Sequence, residues 1–128
     1  FNSLNVASLL GHMKIVELLI ENGADVNANK DYPALWSTSS SGHYKIAALL
    51  IEHGADINAK TIAGESPLMV ATLAGHIEYV KLLMDNNAFV NSIDKGGKTT
   101  LDIAISSNHS DIADILRKHG GKTGEELK

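Results

Sequence analysis

Six histidines in a 128-residue chain with no cysteine make metal ligation the first chemistry to weigh. Four of them, His12, His43, His76 and His109, recur at steps of 31, 33 and 33 residues (43 − 12, 76 − 43, 109 − 76). If each step is one structural unit, neighbouring imidazoles ride on elements about 8–10 Å apart. Zinc draws its nitrogen ligands to about 2.0–2.1 Å. The spacing therefore denies adjacent histidines a shared ion. Gly97-Lys98-Thr99 and Gly121-Lys122-Thr123 end like phosphate-binding loops. The glycine that such a loop needs five positions earlier is Ser92 in one and Leu116 in the other, and no buried strand precedes either. Asn108-His109-Ser110 matches a glycosylation sequon and is read as coincidence, since no secretory leader opens the sequence. The hydroxyl run Ser37 to Ser41 has no basic partner to make a nucleophile of it. Carboxylates lie scattered, with no pair placed for acid–base work. No catalytic residue, cofactor or metal ligand is assigned.

Bulk properties narrow the class. A length of 128 residues fits one domain. Hydrophobic content of 44% with 20% charged residues is that of a globular chain rather than a disordered one. A formal charge of −4 argues against nucleic acid, whose binders carry a basic excess. No basic block suggests an anionic membrane surface, and no apolar run approaches the roughly 20 residues that cross a bilayer. The absence of cysteine rules out a disulfide framework and fits a reducing compartment. An intracellular, cytoplasmic location is expected, a secreted effector being the other reading. The chain opens at Phe1 rather than methionine, so it is expected to be a processed product or part of something longer.

The histidine spacing belongs to a longer repeat. Gly11 to Asn27 returns as Gly42 to Asn58, again from Gly75 to Asn91, and more loosely from Asn108 to Lys122. Each copy reads as helix, tight turn, helix and extended finger. In the second helix Ile15, Leu18 and Leu19 fall at i, i+3 and i+4, one apolar stripe. Ile46, Leu49 and Leu50 repeat it, as do Tyr79, Leu82 and Leu83, then Ile112, Ile115 and Leu116. Gly23 and Gly54 follow helix ends where a left-handed residue is common, and Asn87 takes that place in the third copy. Asn108 likewise replaces the glycine of the helix–helix turn. Phe89 stands where Asp25 and Asp56 stand, a departure that the pattern does not account for. Two residues fewer lie between Asn27 and Gly42 than between Asn58 and Gly75 (15 against 17 steps), so the finger around Asn29 to Tyr32 should be stubbier than that around Lys60 to Gly64.

Ser66-Pro67-Leu68-Met69-Val70-Ala71 resembles the ankyrin-repeat motif Thr-Pro-Leu-His-x-Ala, with proline in the first helical turn. Thr99 to Ala104 and Asn2 to Ala7 keep that register more loosely, and Pro33 to Thr38 most loosely. With the 33-residue period, the resemblance covers Phe1 to about Gly121. It implies an all-α solenoid of stacked helix–turn–helix units with short β-hairpin fingers. The array is expected as one domain over 1–128, with units at about 1–29, 30–60, 61–93 and 94–128. The resemblance also implies that the turn histidines brace neighbouring loops. Asp111, Asp114, Arg117 and Lys118 make the last outer helix polar, as a terminal cap should be. The ending His119 to Leu127 resembles tails that close ankyrin arrays in bacterial proteins, whereas the first unit shows no comparable cap.

Family resemblance further implies a protein-binding module acting through its concave side, with no catalysis. The contact positions it carries over are the finger residues and the two residues before each turn glycine. Leu9, Leu10, Ile62 and Leu73 would form an apolar strip with Tyr32 and Trp36 near its middle, flanked by Lys60, Glu65, Lys95 and Lys98. Trp36 occupies the motif histidine position and could instead pack on the next unit. Leu9 and Leu10 could equally lie under a preceding unit. An unidentified protein partner and a monomeric array are expected. The alternative is a regulatory or structural appendage docked on another domain of a longer chain.

Overall fold

The computed structural model describes residues 2–128; Phe1, where the resemblance begins, lies outside the described residues. Eight helices are present among these residues, joined as four helix–turn–helix pairs. They are α1 (Ser3–Leu10) with α2 (Met13–Glu21), α3 (Ala34–Ser41) with α4 (Tyr44–Glu52), α5 (Pro67–Ala74) with α6 (Ile77–Asp85), and α7 (Thr100–Ser106) with α8 (Ser110–Lys118). The odd helices stack in chain order as one layer and the even helices as a second, looser one. The odd helices, the more closely packed layer, are the inner helices, and the even ones the outer helices.

Local chemistry explains where each inner helix begins. Asn2, Ser66 and Thr99 sit in extended conformation, and their side chains accept from the N–H groups of Asn5, Met69 and Asp102. Thr99 and Asp102 form a reciprocal capping box, which satisfies two otherwise orphaned donors. Pro33, at the loosest copy of the motif, supplies no side-chain cap.

Two glycine series have two different causes. At Gly11, Gly42 and Gly75 a Cβ would lie 2.7–2.9 Å from the imidazole of His43, His76 and His109 respectively, each from the following unit. These glycines combine left-handed backbone with close approach. Asn108 is the fourth member, with φ 59°. Gly23 and Gly54 have open space around them, so backbone conformation alone decides there. Asn87 meets that weaker demand at φ 61°.

The core is one cluster running the length of the stack, with Val16, Leu35, Leu50, Leu68, Tyr79, Leu83, Leu101 and Leu116 fully buried. The expected stripe needs correction: its middle position, Leu49, Leu82 and Ile115 in α4, α6 and α8, is half-buried at the edge of the core. In α2 the buried residue is Val16, while Ile15 and Leu18 are exposed, because among the described residues no unit packs on that side of the first pair. In α6 Tyr79, Val80 and Leu83 are wholly buried, whereas Leu82 is half-buried.

The fingers carry little strand. The second closes through Thr61 N–H to Glu65 O at 2.9 Å, and the third through Asp94 N–H to Lys98 O at 3.0 Å. An isolated antiparallel bridge pairs Ile93 with Thr99. The shortened first finger instead bends over 30–32 and is held by Tyr32 N–H donating to the Asn29 side chain at 3.0 Å. The stubby finger expected from the two missing residues is what forms. At the far end, residues 121–128 fold back on the last unit. Gly124 N–H donates to Asp102 Oδ2 at 3.0 Å, and Arg117 grips both Glu126 oxygens at 2.8 and 2.9 Å. Burial pushes the Asp102 carboxyl up. The N–H groups of Thr99 and Gly124, the Thr99 hydroxyl and the Lys98 charge outweigh that and hold it below its ordinary value.

Candidate binding surface

The joints between units fix where every surface residue points. His76 Nε2 lies 3.2 Å from Ser40 O, and His109 Nε2 3.2 Å from Leu73 O. These two rings tie their turns to the preceding inner helix, and the His43 ring lies over Gly11. Among the described residues no group of three histidine or acidic side chains could hold a metal ion. A second ladder, made of asparagines, runs along the finger bases. Asn27 Nδ2 donates to Gly54 O and its Oδ1 accepts from Asp56 N–H, both at 2.9 Å. Asn58 Oδ1 accepts from Phe89 N–H at 2.8 Å. Asn91 repeats both bonds with Gly120 O and Lys122 N–H. This ladder was visible as an asparagine recurring in register, but its partners depend on how units stack. It also accounts for why Phe89 is tolerated: the ladder uses only the backbone N–H of that residue. Nothing in the structure explains why the side chain is an exposed phenylalanine.

With the backbone so fixed, the expected contact residues separate. Ile62 at the second fingertip and Leu73 near the end of α5 are each 57% exposed. Leu10 is also exposed, whereas Leu9 is half-buried. Tyr32 and Trp36 are half-buried and meet edge to face, with ring centroids 5.0 Å apart. Trp36 thus packs within its own unit against the first finger. Asn5, at the same motif position one unit earlier, donates to Tyr32 O at 2.7 Å and holds that finger down.

The charged candidates divide as well. Lys60 donates its ammonium to Ile93 O at 2.8 Å, so it braces the third finger. Glu65 is half-buried beside the closure of its own finger. The Lys95 stem lies over Gly64, and Lys98 is exposed next to Asp102. Ile62 N–H donates to Asp31 O at 3.1 Å, so the second fingertip is tied back to the first. Ile93 and Ile105 are further exposed apolar side chains of the last two units. Ile105 escaped the sequence reading because its register is that of Ser8, Ser39 and Thr72, which are buried.

Thr99, the end of one apparent phosphate-loop motif, is spent on its capping box. No helix among the described residues is long and apolar enough to cross a membrane.

Comparison with known families agrees with this architecture. The family model described as ankyrin repeats (3 copies) matches residues 1–61 and 59–125. The chain belongs to the ankyrin repeat family. Ankyrin repeats are in general protein–protein interaction modules, and typically non-catalytic. No curated protein matches the chain.

Proposed function

We propose that this array binds a protein partner through the concave side formed by its inner helices and fingertips, and catalyses no reaction. The observation that carries the reading is the placement of Ile62 and Leu73. Both are large, apolar and exposed, Ile62 on the second finger and Leu73 on the helix α5 that follows it, and the second finger is tied through Ile62 N–H to Asp31 O, next to the half-buried Tyr32–Trp36 pair. Exposed apolar surface of this kind marks interaction sites, and aromatic side chains at the centre of such a patch concentrate contact energy. Leu9, Leu10, Glu65, Lys95 and Lys98 would frame the patch, while Lys60 would act through the third finger that it braces. The partner is a protein and not nucleic acid, in keeping with the net charge of −4.

Affinity capture from the source cell supplies the partner, and paired substitutions then locate the surface. Leu73→Ala should weaken the captured partner about tenfold, or ~1.4 kcal/mol, with the Tm nearly unchanged. Leu83→Ala removes a fully buried side chain and should cost about 2–5 kcal/mol of stability. Glu52→Ala and Lys81→Ala, on the outer layer, should bind normally. Normal binding by Leu73→Ala with loss in Glu52→Ala or Lys81→Ala would place the working surface on the convex side and sink the reading.

A further inference from the structure

Asn22-Gly23 is the one asparagine–glycine pair in the sequence, and asparagine is a thermally labile side chain. When glycine follows it, no side chain shields the next peptide nitrogen from the carboxamide. Gly23 has nothing within 4 Å of where a Cβ would stand, and Asn22 is exposed. That exposure belongs to the position and not to the first unit, since the corresponding His53, Asn86 and His119 are exposed as well.

The position also has a structural duty. Asn22 closes α2, and its Nδ2 donates to Leu18 O at 2.7 Å. Asn86 repeats the bond to Leu82 O at 2.8 Å, and the Nδ1 atoms of His53 and His119 lie 3.0 and 2.9 Å from Leu49 O and Ile115 O. Each outer helix thus ends in a side chain turned back on a carbonyl of its last turn. Two of the four are amides, and only at Asn22 does glycine come next. With ψ at 17°, Gly23 N is turned away from the Asn22 side chain. Bringing the two together requires rotation about ψ. That rotation breaks Gly23 N–H to Ile20 O and Ala24 N–H to Leu19 O, both 3.0 Å, along with the Asn22 side-chain bond.

We propose that Asn22 is a site of spontaneous covalent modification, gated by the last turn of α2. When that turn opens, Gly23 N bonds to Asn22 Cγ and the Cγ–Nδ2 bond breaks. The amide nitrogen leaves as ammonia, taking the Gly23 proton. Water then opens the cyclic imide at either carbonyl, giving an aspartyl or an isoaspartyl residue. The product carboxylate has no hydrogen to give Leu18 O, and it sets negative charge at a helix C-terminus where the macrodipole is already negative. Modification therefore removes the bond that held it back. The change is one-way, and it weakens the segment leading to buried Val26 and to the Asn27 rung of the asparagine ladder.

The full chain, held at mildly alkaline pH and sampled by peptide mapping, should convert at Asn22 before any other asparagine. Conversion should run about tenfold slower than in the same chain unfolded by urea, the difference being the population of the open turn. Leu18→Gly, at an exposed position of the same turn, lowers helix propensity and should speed conversion about fivefold. Asn87→Gly, accommodated at φ 61°, should make Asn86 a second reactive site. Asn22→Asp should reproduce the end state, with faster exchange of the Gly23 and Ala24 amides and a Tm lower by a few degrees. Three results overturn the gated site: an unmodified Asn22 after the unfolded chain has converted fully, equal rates in the two states, or an inert Asn86 beside the introduced glycine. Unchanged exchange and Tm in Asn22→Asp overturns the self-weakening.

Discussion

Tyr79 and Thr38 are a matched departure from the repeat. Tyr79 stands where other units have isoleucine, and Thr38 where they have alanine at positions 7, 71 and 104. The two hydroxyls meet at 2.6 Å and both reach Leu35 O, so a polar pair inside the core is satisfied. Burial pushes the Tyr79 phenol well above its ordinary value, and the Thr38 bond only partly offsets this. A group whose folded pKa is raised contributes stability that is fully present below its unfolded pKa and lost as pH rises past it. The loss should therefore begin near pH ~10, the unfolded tyrosine value. Ultraviolet titration should show Tyr79 ionising together with unfolding, and Tyr79→Phe should remove that coupling. At neutral pH Tyr79→Phe should cost about 0.5–1.5 kcal/mol, and a denaturant cycle with Thr38→Ala should show the two effects to be non-additive. Residue chemistry of this kind was half legible in the sequence. The tyrosine and the threonine each broke a visible pattern, but they lie 41 residues apart, and only stacking brings them together. Lys60 is similar: its exposure was legible, its bond to Ile93 O was not.

Among elements, the caps were the most legible, because a cap is decided within four or five residues of chain. Ser66-Pro67 and Thr99 named their helices' first turns, and both glycine series named the ends. Burial around the second helices was less so, because which side of α2 is covered depends on what stands next to it. The last element, the folded-back tail, rests heavily on Asp102, which serves a helix cap and Gly124 at once. Its depressed carboxyl contributes stability that is present above the unfolded value of ~4 and lost as pH falls through the folded value. Amide exchange at Gly124 should therefore accelerate below about pH 4, before the stack itself melts. Asp102→Asn should make Gly124 exchange rapidly at neutral pH as well, with α5 and α6 unaffected. Equal protection of Gly124 in both proteins would contradict this.

At the scale of the whole molecule, each unit touches only its neighbours, so stability is a sum of units and joints and the weakest unit sets the local opening. The second unit is expected to be the weakest. In α3, Ser39 and Ser41 hydroxyls bond to their own helix at Trp36 O and Ser37 O, a habit that competes with helix geometry and buries little apolar surface. In α5 the corresponding stretch, Val70 to Ala74, has one hydroxyl, Thr72, in place of five, and a proline opens the helix. Amides of Leu35 to Ser41 should exchange faster than those of Leu68 to Ala74 by native-state hydrogen exchange. Equal or reversed rates would mean that the Tyr79–Thr38 pair more than offsets the serines.

The asparagine ladder has a practical corollary. At Phe89 it engages the main chain alone, so that side chain is released from every structural duty while its Cα stays rigidly held between the second and third units. The chain contains no cysteine. Phe89→Cys would therefore create a solitary thiol on a fixed point of the scaffold, where a fluorophore or spin label could report joint opening without disturbing the inner helices.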